Sequence, residues 1–185
     1  MIRILIAASV LAFSMTALGL PVITFLPVIA KEVFHQGADG FTRLLVVSGC
    51  GSICGALIVA ATGHVQRKGR FALLNLVALG ALVSVFALST NLWLSYAMLF
   101  CSSLTLMCVF AFIASVVQNL TTHEMRGRVM SVYNVAFRGG GPVGALAAGE
   151  LIHVSSAPTV LLGCGALLGV LGLYFLLVDR RVARL

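Results

Sequence analysis

The feature that most constrains this chain is the length of its apolar runs. Polar residues gather in clusters at Lys31 to Thr42, His64 to Arg70, Ser89 to Asn91, Gln118 to Arg128 and Ser155 to Pro158. Between these clusters the sequence stays apolar for about 20 residues at a time, the length of helix that crosses a bilayer's hydrocarbon core; a barrel strand needs only about 10. Cutting at the clusters predicts six helices, near residues 3–30, 43–63, 71–89, 92–118, 128–153 and 158–178. No soluble segment, long linker or low-complexity tract separates them, so residues 1–185 read as a single membrane domain. The expected fold class is an all-α integral membrane protein with six transmembrane helices. The first run is not read as a cleavable signal peptide, because its apolar stretch extends from Ile4 to Ala30 with no small-residue cleavage site followed by a soluble chain. Its prolines, Pro21 and Pro27, are tolerated in lipid where neighbouring helices satisfy the freed carbonyls.

Charge supports the same reading. Lys+Arg number 12 and Asp+Glu 5, together 9% of 185 residues, against about 25% in a typical soluble domain. With 61% hydrophobic residues and a mean hydropathy of +1.12, polar side chains are too few to coat a water-facing surface. A soluble domain, a disordered chain and a coiled coil are excluded. Net charge +7 would suggest a nucleic-acid partner in a soluble protein, but here the basic residues sort by side. Arg3, Arg67, Lys68, Arg70, Arg126, Arg128, Arg180, Arg181 and Arg184 fall at one set of alternate helix ends, and only Lys31 and Arg43 at the other. The basic set marks the cytoplasmic side of a cell (inner) membrane, with both termini inside. The charge excess is then topology with some attraction to anionic lipid, and no nucleic acid is implied.

Five cysteines, Cys50, Cys54, Cys101, Cys108 and Cys164, lie within apolar runs and read as small buried residues. Cys50 and Cys54 are four apart, but no His or carboxylate joins them, so no metal site is expected.

The helices differ in polarity. The first carries Ser9, Ser14, Thr16 and Thr24, and the fourth Ser95, Tyr96, Ser102, Ser103, Thr105 and Ser115; such groups favour a bundle interior or a wet cavity. The alternative for each hydroxyl is a bond to the carbonyl one turn back. The second and fifth are glycine-rich, with Gly51/Gly55 and Gly140/Gly144 as small-xxx-small pairs around close helix contacts and Pro142 between the latter pair. The third and sixth are greasy and read as lipid-facing. The order polar, glycine-rich, greasy thus occurs twice, an internal repeat of the kind found in facilitator-type transporters.

The stretch Val117-Gln118-Asn119-Leu120-Thr121, then Glu124-Met125-Arg126-Gly127-Arg128-Val129-Met130-Ser131, on into Gly139-Gly140-Gly141-Pro142-Val143-Gly144 and Gly149, resembles the loop between helices ten and eleven of the major facilitator superfamily. It is most similar to the bacterial enterobactin-exporter-like branch, also called transmembrane secretion effectors. Leu26 to Val33, followed by Ser48-Gly49-Cys50-Gly51 and Gly55-Ala56-Leu57, resembles that branch's helices seven and eight. The resemblance implies the C-terminal six-helix half of a twelve-helix secondary transporter, with no cofactor. The partners it implies are the lipid bilayer, a small-molecule substrate, and a missing N-terminal six-helix half or a second copy of the chain. It places the first and fourth helices along the cavity and the second and fifth against the missing half. The loop Thr62 to Arg70 is similar to the superfamily's basic gating loop, except that Gln66 stands where an aspartate is usual. Arg67, Lys68 and Arg70 of this loop are candidate cytoplasmic gate or loop residues, as are Arg126 and Arg128 farther along, which either bind lipid head groups or help close the cytoplasmic gate.

Two charges stand inside predicted spans. Arg138 lies ten residues past Arg128, roughly 15 Å along a helix and near the bilayer centre. A charge there costs at least about 2.5 to 3.5 kcal/mol, so Arg138 is expected to face the interior. There it either binds acidic groups of the substrate or pairs with carbonyls or a carboxylate of the missing half. Glu150 is the one carboxylate within a predicted span; a proton-coupled antiporter needs such a group to load and release a proton. The alternative is an interfacial Glu reaching water. His153 reads as interfacial. The sequon Asn119-Leu120-Thr121 falls on the cytoplasmic side and is set aside.

No phosphate loop, metal-ligand spacing or nucleophile–base pair is evident, so the chain is not expected to be an enzyme. The leading reading is an ion-gradient-driven exporter of small molecules, drug or siderophore-like, with Ser14, Thr16, Tyr96, Ser102, Ser103, Arg138 and Glu150 as pathway or coupling candidates. A non-transporting membrane subunit that assembles through its glycine-rich helices is the second reading.

Overall fold

A computed structural model gives the fold and describes residues 2–62, 68–121 and 124–177, with side chains from Ile6 onward. Gln66, Arg67, Arg180, Arg181, Arg184 and the side chain of Arg3 lie outside the described residues. Among the described residues every element is a helix: α1 (Ile2–Gly19), α2 (Pro21–Thr24), α3 (Leu26–Glu32), α4 (Ala38–Ala61), α5 (Lys68–Leu88), α6 (Leu92–Leu120), α7 (Arg126–Val154) and α8 (Ala157–Leu177).

The first predicted helix is therefore three pieces. Pro21 and Pro27 sit in the first turns of α2 and α3, and Phe25 between them leaves helical geometry at φ −98°, ψ 9°. A proline has no N–H to give the carbonyl four residues back, so each interrupts the helical ladder. Pro21 thereby withholds a helical bond from the Ala17 carbonyl, and that carbonyl is where Gly144 of α7 packs.

Among the described residues, five helical stretches are long and apolar enough to cross a membrane: Ile6–Thr24, Ala38–Ala61, Lys68–Leu88, Leu92–Leu120 and Ala157–Leu177. α7 has the length, at 29 residues, but its arginines, Glu150, Asn134 and glycine-rich middle lower its hydropathy below the others. Six apolar spans were the expectation; five meet it.

The helices pack α4 on α6, α6 on α5, α5 on α8 and α1 on α7, with α1 also touching α8 and α6. Missing side chains set these contacts. A Cβ on Gly51 or Gly55 would overlap the backbone of Phe100 or Leu104 in α6, and one on Gly140 or Gly144 would overlap Phe13 or Ala17 in α1. The α4–α6 and α1–α7 contacts are thus built alike, each a glycine pair four residues apart against carbonyls four residues apart, beginning at a phenylalanine. On α5 and α8, Gly80 lies directly against Gly165 and Gly169. At the turn between α5 and α6, Asn91 caps α6, its Oδ1 accepting from the backbone N–H groups of Trp93 at 3.0 Å and Leu94 at 3.5 Å.

Candidate functional site

The hydroxyls predicted along a pathway lie among packed helices. Thr16, Ser102 and Ser103 are buried. The Thr16 hydroxyl donates to the carbonyls of Ala12 and Phe13, both at 3.0 Å, and the Ser102 hydroxyl to Leu99 at 2.9 Å. Ser103 shares a 2.8 Å hydrogen bond with Ser48 across the α4–α6 contact. Ser14 and Tyr96 are half-buried, and the Tyr96 hydroxyl is enclosed without a partner among the described residues.

Ser48 was not singled out from the sequence, although its spacing carries a signal: Ser48, Gly51 and Gly55 stand at i, i+3 and i+7, on one helix face. Tyr133 was also missed. It is 1% exposed, its hydroxyl has no partner among the described residues, and its ring stacks on Phe137 at 6.4 Å, which in turn meets Phe110 of α6 at 4.4 Å. Lys68 donates to the Ser115 hydroxyl at 3.0 Å, tying the start of α5 to α6. The five cysteines are free thiols, and among the described residues no group of His, Cys, Asp or Glu is placed to hold a metal ion.

α7 separates its two chemistries by face. Tyr133, Gly140, Gly141, Gly144 and Ala148 are buried. Arg128, Ser131, Asn134, Arg138 and Pro142 succeed one another at spacings of three or four and are all exposed, as are Arg70, Arg126 and Glu150. Arg138 stands twelve residues after Arg126 on the 29-residue helix, roughly 18 Å along it. Neither Arg138 nor Glu150 makes a hydrogen bond or ion pair with any described residue, and the same helical rise holds the two roughly 18 Å apart. The glycines, by contrast, turn inward: Gly51, Gly55, Gly140 and Gly144 are occupied by α6 and α1 of the same chain.

The family model described as transmembrane secretion effector matches residues 2–183. The chain belongs to this family. No curated protein and no solved structure matches it. The transmembrane secretion effectors are a branch of the major facilitator superfamily, and the helices qualify the chain as a multi-pass membrane protein of that transporter type.

Proposed function

We propose that this chain is one six-helix half of an ion-gradient-driven exporter of small amphipathic or anionic molecules, drug or siderophore-like, and that it works with a second half. In this reading α7 is the sixth span, with Ser131, Asn134 and Arg138 turned toward the substrate pathway or the other half and away from lipid, and Arg128 at its cytoplasmic end. The observation that carries the reading is Arg138, exposed midway along α7 and without a partner among the described residues. A cation at that depth costs at least about 2.5 to 3.5 kcal/mol in lipid, so an anion or a wet pathway has to meet it. The matching α4–α6 and α1–α7 glycine contacts support a division into two three-helix repeats, α1 to α5 and α6 to α8. The asymmetry of Lys and Arg supports an inner-membrane orientation with both ends in the cytoplasm.

The competing subunit reading relied on glycine-rich surfaces for assembly. Gly51, Gly55, Gly140 and Gly144 already serve contacts within the chain, so that reading keeps no observation of its own.

The test is Arg138→Leu in the assembled transporter, with export of a fluorescent organic anion from energised cells as the readout. Loss of export at unchanged membrane expression is expected. Undiminished export removes the role of Arg138.

A further inference from the structure

The α1–α7 contact is tight at Gly140 and Gly144 and looser toward the Arg126 end of α7. There the facing positions carry side chains, Val129, Val132 and Ala136 of α7 against Ile6 and Val10 of α1, and a groove of about 570 Å³ lies between the helices. Ile6, Val10 and Val132 are exposed, so its apolar wall is uncovered. Among the described residues a single charged side chain lines it, Arg128. Arg128 is exposed and makes no hydrogen bond or ion pair with any described residue; Glu124, one turn earlier, neither pairs with it nor lines the groove.

We propose that this groove holds one acidic phospholipid, with an acyl chain along the Ile6, Val10 and Val132 wall and the phosphate on the Arg128 guanidinium. The volume is within the range of small-ligand sites, about 300 to 1,000 Å³, and its apolar lining suits a hydrocarbon chain and little else. The guanidinium fork matches phosphate oxygens two at a time, and basic pockets between membrane helices are recognised head-group sites. An acidic lipid is favoured over a zwitterionic one because the latter brings its own cation beside an uncompensated Arg128. A second copy of the chain is disfavoured for the same reason, since it presents the same arginine. The proposal requires that the groove between α1 and α7 be open to lipid beside the other half; it does not depend on the substrate or the coupling ion proposed above.

The chain, reconstituted with equal amounts of phosphatidylglycerol and phosphatidylcholine and released into native mass spectrometry, tests it. Wild type is expected to retain one phosphatidylglycerol in preference to phosphatidylcholine. Arg128→Gln should lose that preference and Arg128→Lys keep part of it. Val132→Trp, which fills the groove and leaves the charge, should lose the retained lipid altogether. Arg126→Gln should behave as wild type, because Arg126 does not line the groove. All three positions are exposed and outside the core, and circular dichroism checks each variant's helix content. Equal retention of both lipids by wild type overturns the proposal. So do full retention by Val132→Trp, an Arg126→Gln loss as large as that of Arg128→Gln, or a dimer mass in place of the lipid.

Discussion

Ser48 and Ser103, 55 residues apart in the chain, share a 2.8 Å hydrogen bond inside the α4–α6 contact. Both side chains are almost fully buried, and the bond lies beside the Gly51 contact with Phe100, where the two backbones touch. Hydrogen bonds between membrane helices average about 0.6 kcal/mol and reach about 1.7. Ser103→Ala is expected to destabilise the chain within that range, and Ser48→Ala by a similar amount. The double variant should cost less than the sum. Unfolding in mixed micelles measures all three, and strict additivity would show that the two hydroxyls do not couple.

The α1–α7 contact predicts a contrast between two glycines. Gly144→Ala places a methyl against the Ala17 backbone, and overpacking of this kind typically costs about 1 to 3 kcal/mol. A Cβ at Gly49 meets nothing within 4 Å, so Gly49→Ala should be neutral or stabilising by up to about 1 kcal/mol, the helical advantage of alanine. Thermal unfolding of the two variants in detergent reads the difference, and equal melting temperatures would contradict the contact geometry.

Asn91 makes a third, local prediction. Its side chain accepts from two N–H groups that the first turn of α6 cannot satisfy itself. Asn91→Ala should cost about 1 kcal/mol, and Asn91→Asp or Asn91→Ser much less. Hydrogen exchange at Trp93 and Leu94 should rise in the alanine variant alone.

Glu150 gives the prediction specific to coupling. Its carboxylate is exposed on α7 and pairs with no described residue. If it carries the proton in the proposed exchange, Glu150→Gln in the assembled transporter abolishes export driven by an imposed proton gradient and spares equilibrative movement of the same anion. Proton-driven export that survives the substitution assigns the proton elsewhere.

Helical character and membrane residence followed directly from the apolar runs, because hydropathy over about 20 residues is a one-dimensional property. What lay beyond it was direction. α5 and α8 are nearly uniform in hydropathy and read as lipid-facing, yet Gly80 seats α5 on α8 and 44% of the α5 span is buried, against 22% of the glycine-rich α4. The glycines of α4 and α7 announced close packing without saying against what; only the tertiary arrangement directs them to α6 and α1. Thr16 and Ser102 looked polar enough to line a cavity, but a hydroxyl bonded to its own helix backbone imposes no such demand. Arg138 was visible because a single charge in a greasy chain is conspicuous. Ser48 was hidden because its partner is two helices away in sequence. The interruption at Pro21 and Pro27 escaped the hydropathy scale, which weighs side chains and takes no account of a missing N–H.

That missing N–H has a practical consequence. The Ala17 carbonyl lacks its helical amide because residue 21 is proline, and it faces Gly144 across the seam. Its stretching frequency therefore responds to the approach of α7 more than to the state of its own helix. An isotope label at Ala17 makes this one peptide group a vibrational gauge of the α1–α7 separation, readable in a bilayer without adding a probe or altering a side chain.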